Sequence, residues 1–265
     1  MSNGEPVQSV DASTVILVRH GQPVGTPWQC FMVRRHVRSE FASDVYVFPG
    51  GKVDAADAAL EMLARVDSEP HPLEHGEPQD RWLALKVAAI RELFEEAGVL
   101  LARDSDGNPL RVDELSAEHL ARWRKRLQAD GVSFLDMLRE EDLRLAAGRL
   151  HPFSHWITPT ALPRRYNTLF WVAYLPDGQT PLHDEHETTA GIWIAPKEAL
   201  ERSRQGDFPL VFATVKHLER MARYPSIEQM IAETSEADLE PITPKLIHEH
   251  GEARLLLPGE VGYQD

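Results

Sequence analysis

The feature that most constrains this chain is the concentration of acid in one short stretch, IRELFEEAGV, at residues 90–99. Glu92, Glu95 and Glu96 fall at i, i+3 and i+4, which places them on one face of a helix. Like charges at that spacing weaken a helix by about 0.2–0.5 kcal/mol per pair. A solvated acidic face is the ordinary interpretation, but such faces usually mix signs, and Arg91 is the only cation in the stretch. Taken alone, the stretch favours the solvated face, but the remaining repulsion would be relieved if a hard divalent cation bound.

The surrounding sequence predicts that this stretch is helical from residue 81 to residue 97. Arg91 can pair with Glu95 one turn later, which would fix one carboxylate. The small Ala88 shares the face of the glutamates and leaves space for a ligand, while Gly98 stands where a left-handed C-cap would be. The opposite stripe is apolar and recurs at helical spacing, through Trp82, Leu85, Ala89 and Leu93.

A glycine-rich segment, FPGGKVDAAD at residues 48–57, precedes the helix. Gly50 and Gly51 follow a strand-like run and would let the backbone approach a ligand closely. Two glycines alone more often mark a plain turn. Together with the acidic helix, however, they predict a site for cations and phosphate, and Mg²⁺ or Mn²⁺ are the hard cations that take carboxylate oxygens.

The overall composition limits the classes of protein that are possible. A formal net charge of −14 argues against binding to nucleic acid or to anionic membranes, and it requires local cations or a metal at any phosphate site. Cys30 is the only cysteine, which excludes an internal disulfide and a thiolate zinc cluster. The longest apolar run, 169–175, is too short to span a bilayer, and the N-terminal residues do not resemble a signal peptide. We expect a soluble cytoplasmic protein.

The order of the elements predicts a mixed α/β layered domain, because strands occur on both sides of a central helix and further helices follow. Residues 67–80 have the Pro-, His- and acid-rich composition of a surface loop, and residues 112–150 are charged and helical in character. Strand patterns occupy residues 14–19, 28–35, 44–51, 168–175 and 191–196, and two closing helices fall within 197–206 and 209–224.

Two separated motifs together resemble the Nudix box. Gly51 is followed after five residues by Asp57, and later comes Arg91-Glu92-Leu93-x-Glu95-Glu96-x-Gly98-Val99, which matches the second half of the box at every defined position. The first acid is Asp rather than Glu, and an insertion separates the two halves. Over residues 14–235 the wider pattern is similar to the branch of the family that contains the animal peroxisomal coenzyme A diphosphatase.

This resemblance implies a fold and an activity. The expected fold is a Nudix-type α/β/α sandwich with a mixed sheet, a helical insertion and C-terminal helices. One domain would cover residues 10–235, with insertions at about 58–80 and 103–150 and a C-terminal extension at 236–265. The expected activity is Mg²⁺- or Mn²⁺-dependent cleavage of the pyrophosphate in a nucleoside diphosphate linked to another moiety. Coenzyme A or acyl-CoA is the first choice, giving 3′,5′-ADP and (acyl-)phosphopantetheine, and ADP-ribose, NADH or another dinucleotide is the alternative. The C-terminal GYQD is not a peroxisomal targeting tripeptide, so the compartment does not carry over.

The resemblance also implies roles for single residues. Glu92 and Glu96 would be the main metal ligands, Glu95 a third ligand or a base that orients water, and Arg91 an orienting partner. Glu187, or the nearby Glu185, is the candidate base outside the box. The substrate-binding candidates are Gly50, Gly51, and the arginine pairs Arg34, Arg35, Arg164 and Arg165, since arginine suits phosphate geometry.

Other parts of the chain are weaker candidates for contact with the substrate. Trp156 and Tyr166 are candidates to stack on adenine, although aromatic residues beside strands more often belong to the core. The helical segment 112–150 would cap the pocket or form the contact of a possible homodimer.

Two alternative interpretations remain. ILVRHGQ at residues 16–22 resembles the strand-loop motif of histidine phosphatases, in which Arg19-His20-Gly21 would bind phosphate and His20 would be the nucleophile. That interpretation predicts a metal-independent phosphatase that His20→Ala abolishes, but no acid donor or second histidine motif accompanies it. The second alternative is a non-catalytic Nudix-fold binding module. Such modules usually lack a box acid, and here Glu92, Glu95 and Glu96 are all present.

Overall fold

A mixed β-sheet forms the centre of the fold. The computed structural model describes residues 7–36, 44–67, 79–129, 131–183, 188–236, 239–249 and 252–263, and within these ranges the main sheet has eight strands. Strand β1 (Val10–Arg19) runs parallel to β8 (Tyr166–Tyr174) and antiparallel to β2 (Gln29–Arg35). The other strands of this sheet are β3 (Tyr46–Val47), β4 (Gly50–Lys52), β7 (His151–Ile157), β9 (Thr188–Ile194) and β10 (Pro241–Ile242). Two small two-stranded sheets lie outside it, β5 (Ala102–Arg103) with β6 (Arg144–Leu145) and β11 (Lys245–Glu249) with β12 (Glu252–Leu256).

Helices cover both faces of the sheet, because alternate residues of β1 point to opposite sides. Val15 and Leu17 pack in one apolar core with the long helix α2, whereas Ile16 and Val18 pack in a second core with the C-terminal helices. This arrangement confirms the predicted α/β/α sandwich. The helices are α1 (Leu60–Leu63), α2 (Gln79–Ala97), α3 (Glu114–Gln128), α4 (Phe134–Glu140), α5 (Pro196–Gln205), α6 (Phe212–Met221) and α7 (Ile227–Glu236), with 3-10 turns at Ala55–Ala58 and Ala147–Arg149.

The single strand predicted at residues 44–51 is two strands in the structure. Strand β3 pairs with β2, and β4 pairs with β1, so the chain changes neighbours at Phe48 and Pro49. Pro49 has no N–H to donate to a continuous ladder, but its carbonyl accepts a hydrogen bond from the Val15 amide at 2.8 Å. This break brings Gly50 and Gly51 beside β1. Most of the predicted loop 67–80 lies outside the described residues, and its last two residues begin α2.

The C-terminal segment joins the sheet. Strand β10 pairs in parallel with β7, and the β11–β12 hairpin buries Leu256. The Tyr263 hydroxyl donates to the Thr243 carbonyl at 2.9 Å, which ties the end of the described chain to the turn before β11. Within the described ranges, no helix has the length and apolar character needed to cross a lipid bilayer.

Candidate active site on the acidic helix

The acidic face of α2 is largely buried. Glu96 is 6% exposed, and the side chains of Glu92 and Glu95 are 15% and 29% exposed. Ala88, which shares this face, is fully buried, so the small side chain allows close packing. These values rule out the interpretation as a solvated acidic face. Burying carboxylates without compensation would be costly, so their partners must be identified.

Arg91 is the common partner of the acids at this site. Its Nε and Nη2 donate to the two oxygens of Asp57 at 2.9 and 3.0 Å. Its Nη1 donates to Glu92 at 2.8 Å and to Glu95 at 3.1 Å, which confirms the predicted pairing of Arg91 with Glu95. The Nη2 group also donates to the Lys52 carbonyl at 2.9 Å. We call these five residues the Arg91 cluster, and it joins the glycine loop to the helix.

Asp57 is the first acid of the box and is fully buried. Besides Arg91, it accepts a hydrogen bond from the Asp54 amide at 2.8 Å. It therefore serves as the buried counter-ion of Arg91 and connects the 3-10 turn at Ala55–Ala58 to α2. Sequence reasoning recognised Asp57 as part of the motif but gave it no role at the site.

Burial and the charges of the Arg91 cluster shift the pKa values of Arg91 and Glu95. Burial would lower the pKa of Arg91, but the hydrogen bond with Asp57 and the charges of Glu92, Asp57 and Glu95 outweigh this effect and raise the pKa. Burial raises the pKa of Glu95, and the charges of Asp57 and Asp54 add to the rise, whereas Arg91 opposes it. Arg91 therefore stays protonated, and Glu95 binds a proton more readily than an exposed glutamate.

The glycine loop lies directly against the glutamates. The Gly50 amide donates to Glu96 Oε2 at 2.9 Å. A Cβ atom at Gly51 would lie 2.4 Å from Glu92 Oε1 and 2.5 Å from Glu92 Cδ, so any side chain there would displace the Glu92 carboxylate. Glycine at position 51 therefore keeps the Glu92 carboxylate in place, and the two predicted glycines contact two of the predicted glutamates.

The donor set at this site suits a hard divalent cation, because Glu92, Glu95 and Glu96 supply only carboxylate oxygens. Arg91 donates to Glu92 and Glu95, and the Gly50 amide donates to Glu96. Across the described ranges, no three His, Cys, Asp or Glu side chains are close enough together to form a metal-binding cluster. The chemistry of the donors and the close backbone at Gly51 fit a metal of this class. Glu185 and Glu187 lie outside the described residues.

A cavity of about 320 Å³ opens beside Gly50. Its wall is mainly apolar and includes Arg35 of β2 at one side. The Nε atom of Arg35 is buried and has no hydrogen-bond partner among the described residues. The aromatic residues of the wall are Phe48, Trp156, Tyr166, Phe170 and Phe212. The sequence indicated Trp156 and Tyr166 as candidates but not the three phenylalanines, which lie in separate parts of the chain.

The other predicted arginines have different surroundings. Arg34 pairs with Asp44 at 2.8 Å, with side chains that are 36% and 51% exposed. Arg165 donates to the carbonyls of Thr158 at 3.1 Å and Val7 at 2.7 Å, so it stabilises the chain around β8. Arg164 is exposed on the same loop. The structure therefore places Arg35 in the cavity wall, whereas Arg34, Arg164 and Arg165 lie outside it.

The residues of the histidine-phosphatase motif do not form a common phosphate site. Arg19 donates twice to Gln29 Oε1, at 3.0 and 2.8 Å, and lies 4.3 Å from the Trp193 ring. The His20 side chain is 74% exposed, and its Nε2 lies 3.6 Å from Glu228. Because Arg19 links β1 to β2 through Gln29, it is not positioned to bind a phosphate as the histidine-phosphatase interpretation requires.

Comparison with known proteins agrees with this geometry. The family model described as the NUDT19 Nudix domain matches residues 67–221, more than half of the chain. The chain belongs to the Nudix family. This Nudix protein is 29% identical to the acyl-coenzyme A diphosphatase NUDT19 of Gallus gallus over 277 residues, which cover 87% of this chain and 72% of that protein. It is 26% identical to the Homo sapiens protein of the same name over 240 residues, covering 78% and 64%.

A solved structure shows the same fold. The crystal structure of a NUDIX hydrolase from Alicyclobacillus acidocaldarius superposes with a TM-score of 0.69 at 26% identity, covering 88% of this chain and 99% of the other. This Nudix protein is accordingly a pyrophosphohydrolase, an enzyme class that acts on small-molecule diphosphates and generally uses divalent metal ions.

Proposed function

We propose that this Nudix enzyme hydrolyses the pyrophosphate of coenzyme A or acyl-CoA with Mg²⁺ or Mn²⁺, releasing 3′,5′-ADP and (acyl-)phosphopantetheine. The observation that carries the proposal is the Arg91 cluster, which holds Glu92 and Glu95 near Glu96, while Gly50, which donates to Glu96, also lines the aromatic cavity. The names of the Gallus gallus and Homo sapiens relatives support the coenzyme A assignment.

Each residue of the site has a proposed part in the reaction. Glu92 and Glu96 are the main metal ligands, and Glu95 is a third ligand or the base that orients the attacking water. When bound, the metal neutralises the diphosphate and lowers the pKa of a bound water. Arg91 is the orienting residue, because all of its donors are used to fix the carboxylates and the glycine loop. Glu187 stays a candidate for the base outside the box.

The bond changes are those of an in-line displacement. The water oxygen forms a bond to one phosphorus, and the bond between that phosphorus and the bridging oxygen breaks. The bridging oxygen leaves with the second phosphoryl group, and a carboxylate of α2 accepts the proton of the water. Gly50 and Gly51 are the proposed backbone contacts of the diphosphate, and their lack of side chains lets the loop pack directly against β1 and the Glu92 carboxylate.

Arg35 is the proposed contact for the 3′-phosphate of coenzyme A. Arg35 lines the cavity together with Trp156 and Tyr166, which are the proposed stacking partners of adenine. Dephospho-coenzyme A lacks only this phosphate, so comparing kcat/KM for the two substrates measures the contribution of the contact between Arg35 and the 3′-phosphate. Arg35→Gln should lower kcat/KM for coenzyme A by about 10- to 100-fold and leave that for dephospho-coenzyme A within about 3-fold. Arg144→Gln, which removes an exposed arginine from β6, is the control and should change neither substrate.

A product screen tests the substrate assignment itself. Coenzyme A, acyl-CoA, ADP-ribose and NADH are incubated with enzyme and Mg²⁺ or Mn²⁺, and the products are identified by mass spectrometry. Release of 3′,5′-ADP from coenzyme A or acyl-CoA is the expected result. Rapid cleavage of ADP-ribose or NADH without turnover of coenzyme A would replace the assignment by the alternative, and turnover that persists in EDTA would overturn the metal dependence.

Metal binding has a readout that needs no substrate. Because a ligand that binds only the folded state stabilises it, Mg²⁺ or Mn²⁺ at 100 times its Kd should add about 2.7 kcal/mol and raise the Tm by roughly 5–10 °C. The rise should be smaller in Glu92→Gln, measured by differential scanning fluorimetry against EDTA. An unchanged Tm at saturating metal would contradict the assignment of the glutamates.

A further inference from the structure

The last turn of α2 needs partners for its carbonyl groups, because the final four carbonyls of a helix have no partner within it. Glu95 and Glu96 lie in this turn, so the order of the turn sets the positions of two site carboxylates. The Phe94 carbonyl accepts from the Gly98 amide at 2.8 Å, and the Ala97 carbonyl accepts from the Leu182 amide at 2.9 Å. The Glu95 carbonyl accepts from a side chain of another helix.

That side chain is Arg124 of α3. Its Nε donates to the Glu95 carbonyl at 2.7 Å, and its Nη1 donates to the Leu182 carbonyl at 2.8 Å. The residue is 9% exposed although it carries a charge. Gln128, one turn later on α3, adds a longer bond to the same Glu95 carbonyl at 3.3 Å. One guanidinium therefore joins the end of α2 to the segment that precedes β9.

The neighbourhood of Arg124 is adapted to this position. Gly98 has a positive φ of 68°, and a Cβ atom there would lie 3.2 Å from Arg124 Nη1, so glycine gives the guanidinium room. The segment before β9 is held a second time, because the Gln179 side chain accepts from the Leu100 amide at 2.8 Å and donates to the Leu100 carbonyl at 2.9 Å. A positive charge at a helix C-terminus is also favourable.

We propose that Arg124 is a positioning residue for hydrolysis, which acts by fixing the last turn of α2 and with it the carboxylates of Glu95 and Glu96. The proposal rests on the proposed function, because it states that α3 of the helical insertion positions α2, which carries the proposed metal ligands. The Nε of Arg124 reaches the backbone of Glu95, so the proposed effect passes through the position of that carbonyl. Small displacements matter at such a site, because a shift of about 1 Å can cost about 100-fold in rate.

Arginine suits this position better than lysine for a geometric reason. The two carbonyls belong to different segments, and the planar guanidinium presents Nε and Nη1 in a fixed fork that reaches both. A lysine has one ammonium group at the end of a flexible chain, so it would keep the charge but not the fork. Arg124→Lys should therefore be intermediate between the wild type and Arg124→Gln.

The test compares Arg124→Gln, Arg124→Lys and Lys125→Gln. Lys125 is exposed on the same helix, so its variant removes the same charge without touching α2. We expect Arg124→Gln to lower kcat by about 10- to 100-fold with KM within about 3-fold, and to weaken Mn²⁺ binding about 10-fold in an electron paramagnetic resonance titration without substrate. Hydrogen exchange at the amides of residues 95–98 should become faster. Lys125→Gln should match the wild type in all three measurements.

The outcomes separate positioning from general stabilisation. If Arg124→Gln matches Lys125→Gln in kcat and Mn²⁺ affinity, the proposal is wrong, even if the Tm is lower. If Arg124→Gln does not fold, Arg124→Lys decides: an intermediate kcat with normal circular dichroism supports the proposal, and wild-type kcat overturns it. If the proposed function is wrong, the wild type itself will not hydrolyse coenzyme A, which distinguishes this outcome from a failure of the Arg124 proposal. The Mn²⁺ titration and hydrogen exchange would still test Arg124.

Discussion

At the scale of single residues, Arg91 resolves the repulsion between the acids of α2. A guanidinium has five N–H donors, and here all five are used, for both oxygens of Asp57, one oxygen each of Glu92 and Glu95, and the Lys52 carbonyl. Part of the repulsion is therefore relieved by the protein itself. The proposed metal would then serve the chemistry and neutralise the remaining charge.

Asp57 should be essential for stability, because it is the fully buried counter-ion of Arg91. Asp57→Asn keeps the shape but removes the charge, and breaking a buried pair in this way should lower the free energy of unfolding by about 3 kcal/mol. Asp54→Asn is the matched control, since that side chain is 66% exposed and 3.5 Å from Arg91, and it should cost less than about 1 kcal/mol. Urea denaturation measures both. Equal losses would show that Arg91 does not depend on Asp57.

Gly51 should be required for activity more than for folding. In Gly51→Ala the new methyl group would displace the Glu92 carboxylate, whose Oε1 lies 2.4 Å from the Cβ position, and kcat/KM should fall by about 100-fold. Gly148→Ala is the control, because nothing lies within 4 Å of its Cβ position. Steady-state kinetics with matched circular dichroism spectra check the prediction. Normal turnover by Gly51→Ala would mean that Glu92 can move without loss.

At the scale of elements, the sequence predicted α2, its pairing of Arg91 with Glu95 and the cap at Gly98, whose φ is 68°. These features depend on neighbours within one turn, which periodicity and capping rules describe. The division of β3 from β4 was missed, although Pro49 marks the place, because two short strands with different partners look like one run in the sequence.

The contacts that shape the site from a distance were not predictable from the sequence. Asp57 and Arg91 are 34 positions apart, and Arg124 and Glu95 are 29 apart, so no local pattern links them. The role of the segment 112–150 was left open between a cap and a dimer contact. The structure places α3 against the end of α2, and the possible homodimer stays a prediction. The span of the domain, residues 10–235, and the two insertions also stay predictions.

The β11–β12 hairpin should contribute to substrate binding, because Leu255 forms part of the cavity wall. Leu255→Asp places a carboxylate in an apolar wall that must receive an anionic substrate, so KM should rise by about 10-fold with kcat nearly unchanged. Ala253→Asp puts the same charge on the same strand at an exposed position and is the control. Initial-rate kinetics test both variants. A fall in kcat without a change in KM would place the hairpin's effect elsewhere.

At the scale of the whole molecule, the two faces of the sheet differ in the residues that they bury. The face with α2 carries the Arg91 cluster and its hydrogen-bonded acids, whereas the face with α5, α6 and α7 has an apolar core that contains His217. The His217 Nδ1 donates to the Ala213 carbonyl at 2.6 Å, and the Ser154 hydroxyl donates to Nε2 at 2.7 Å. Both ring nitrogens are satisfied in the neutral form, and a second proton would reverse the bond with Ser154 and place a charge in the apolar core.

His217 should therefore make the protein sensitive to acid. Burial lowers its pKa to about 3, and the charge of Arg220 adds to this, although the bond to Ala213 opposes it. Since the unfolded chain binds a proton near pH 6.5 and the folded protein does not, stability is complete above pH 6.5 and should fall by on the order of 3 kcal/mol by pH 4. His217→Phe loses the Ser154 bond at every pH, but it should flatten this slope in urea unfolding between pH 7 and pH 4. His20→Phe, at a side chain that is 74% exposed, should keep the slope. If His217→Phe and the wild type lose stability in parallel, the acid sensitivity belongs to other groups, and the carboxylates of the opposite face become the first to test.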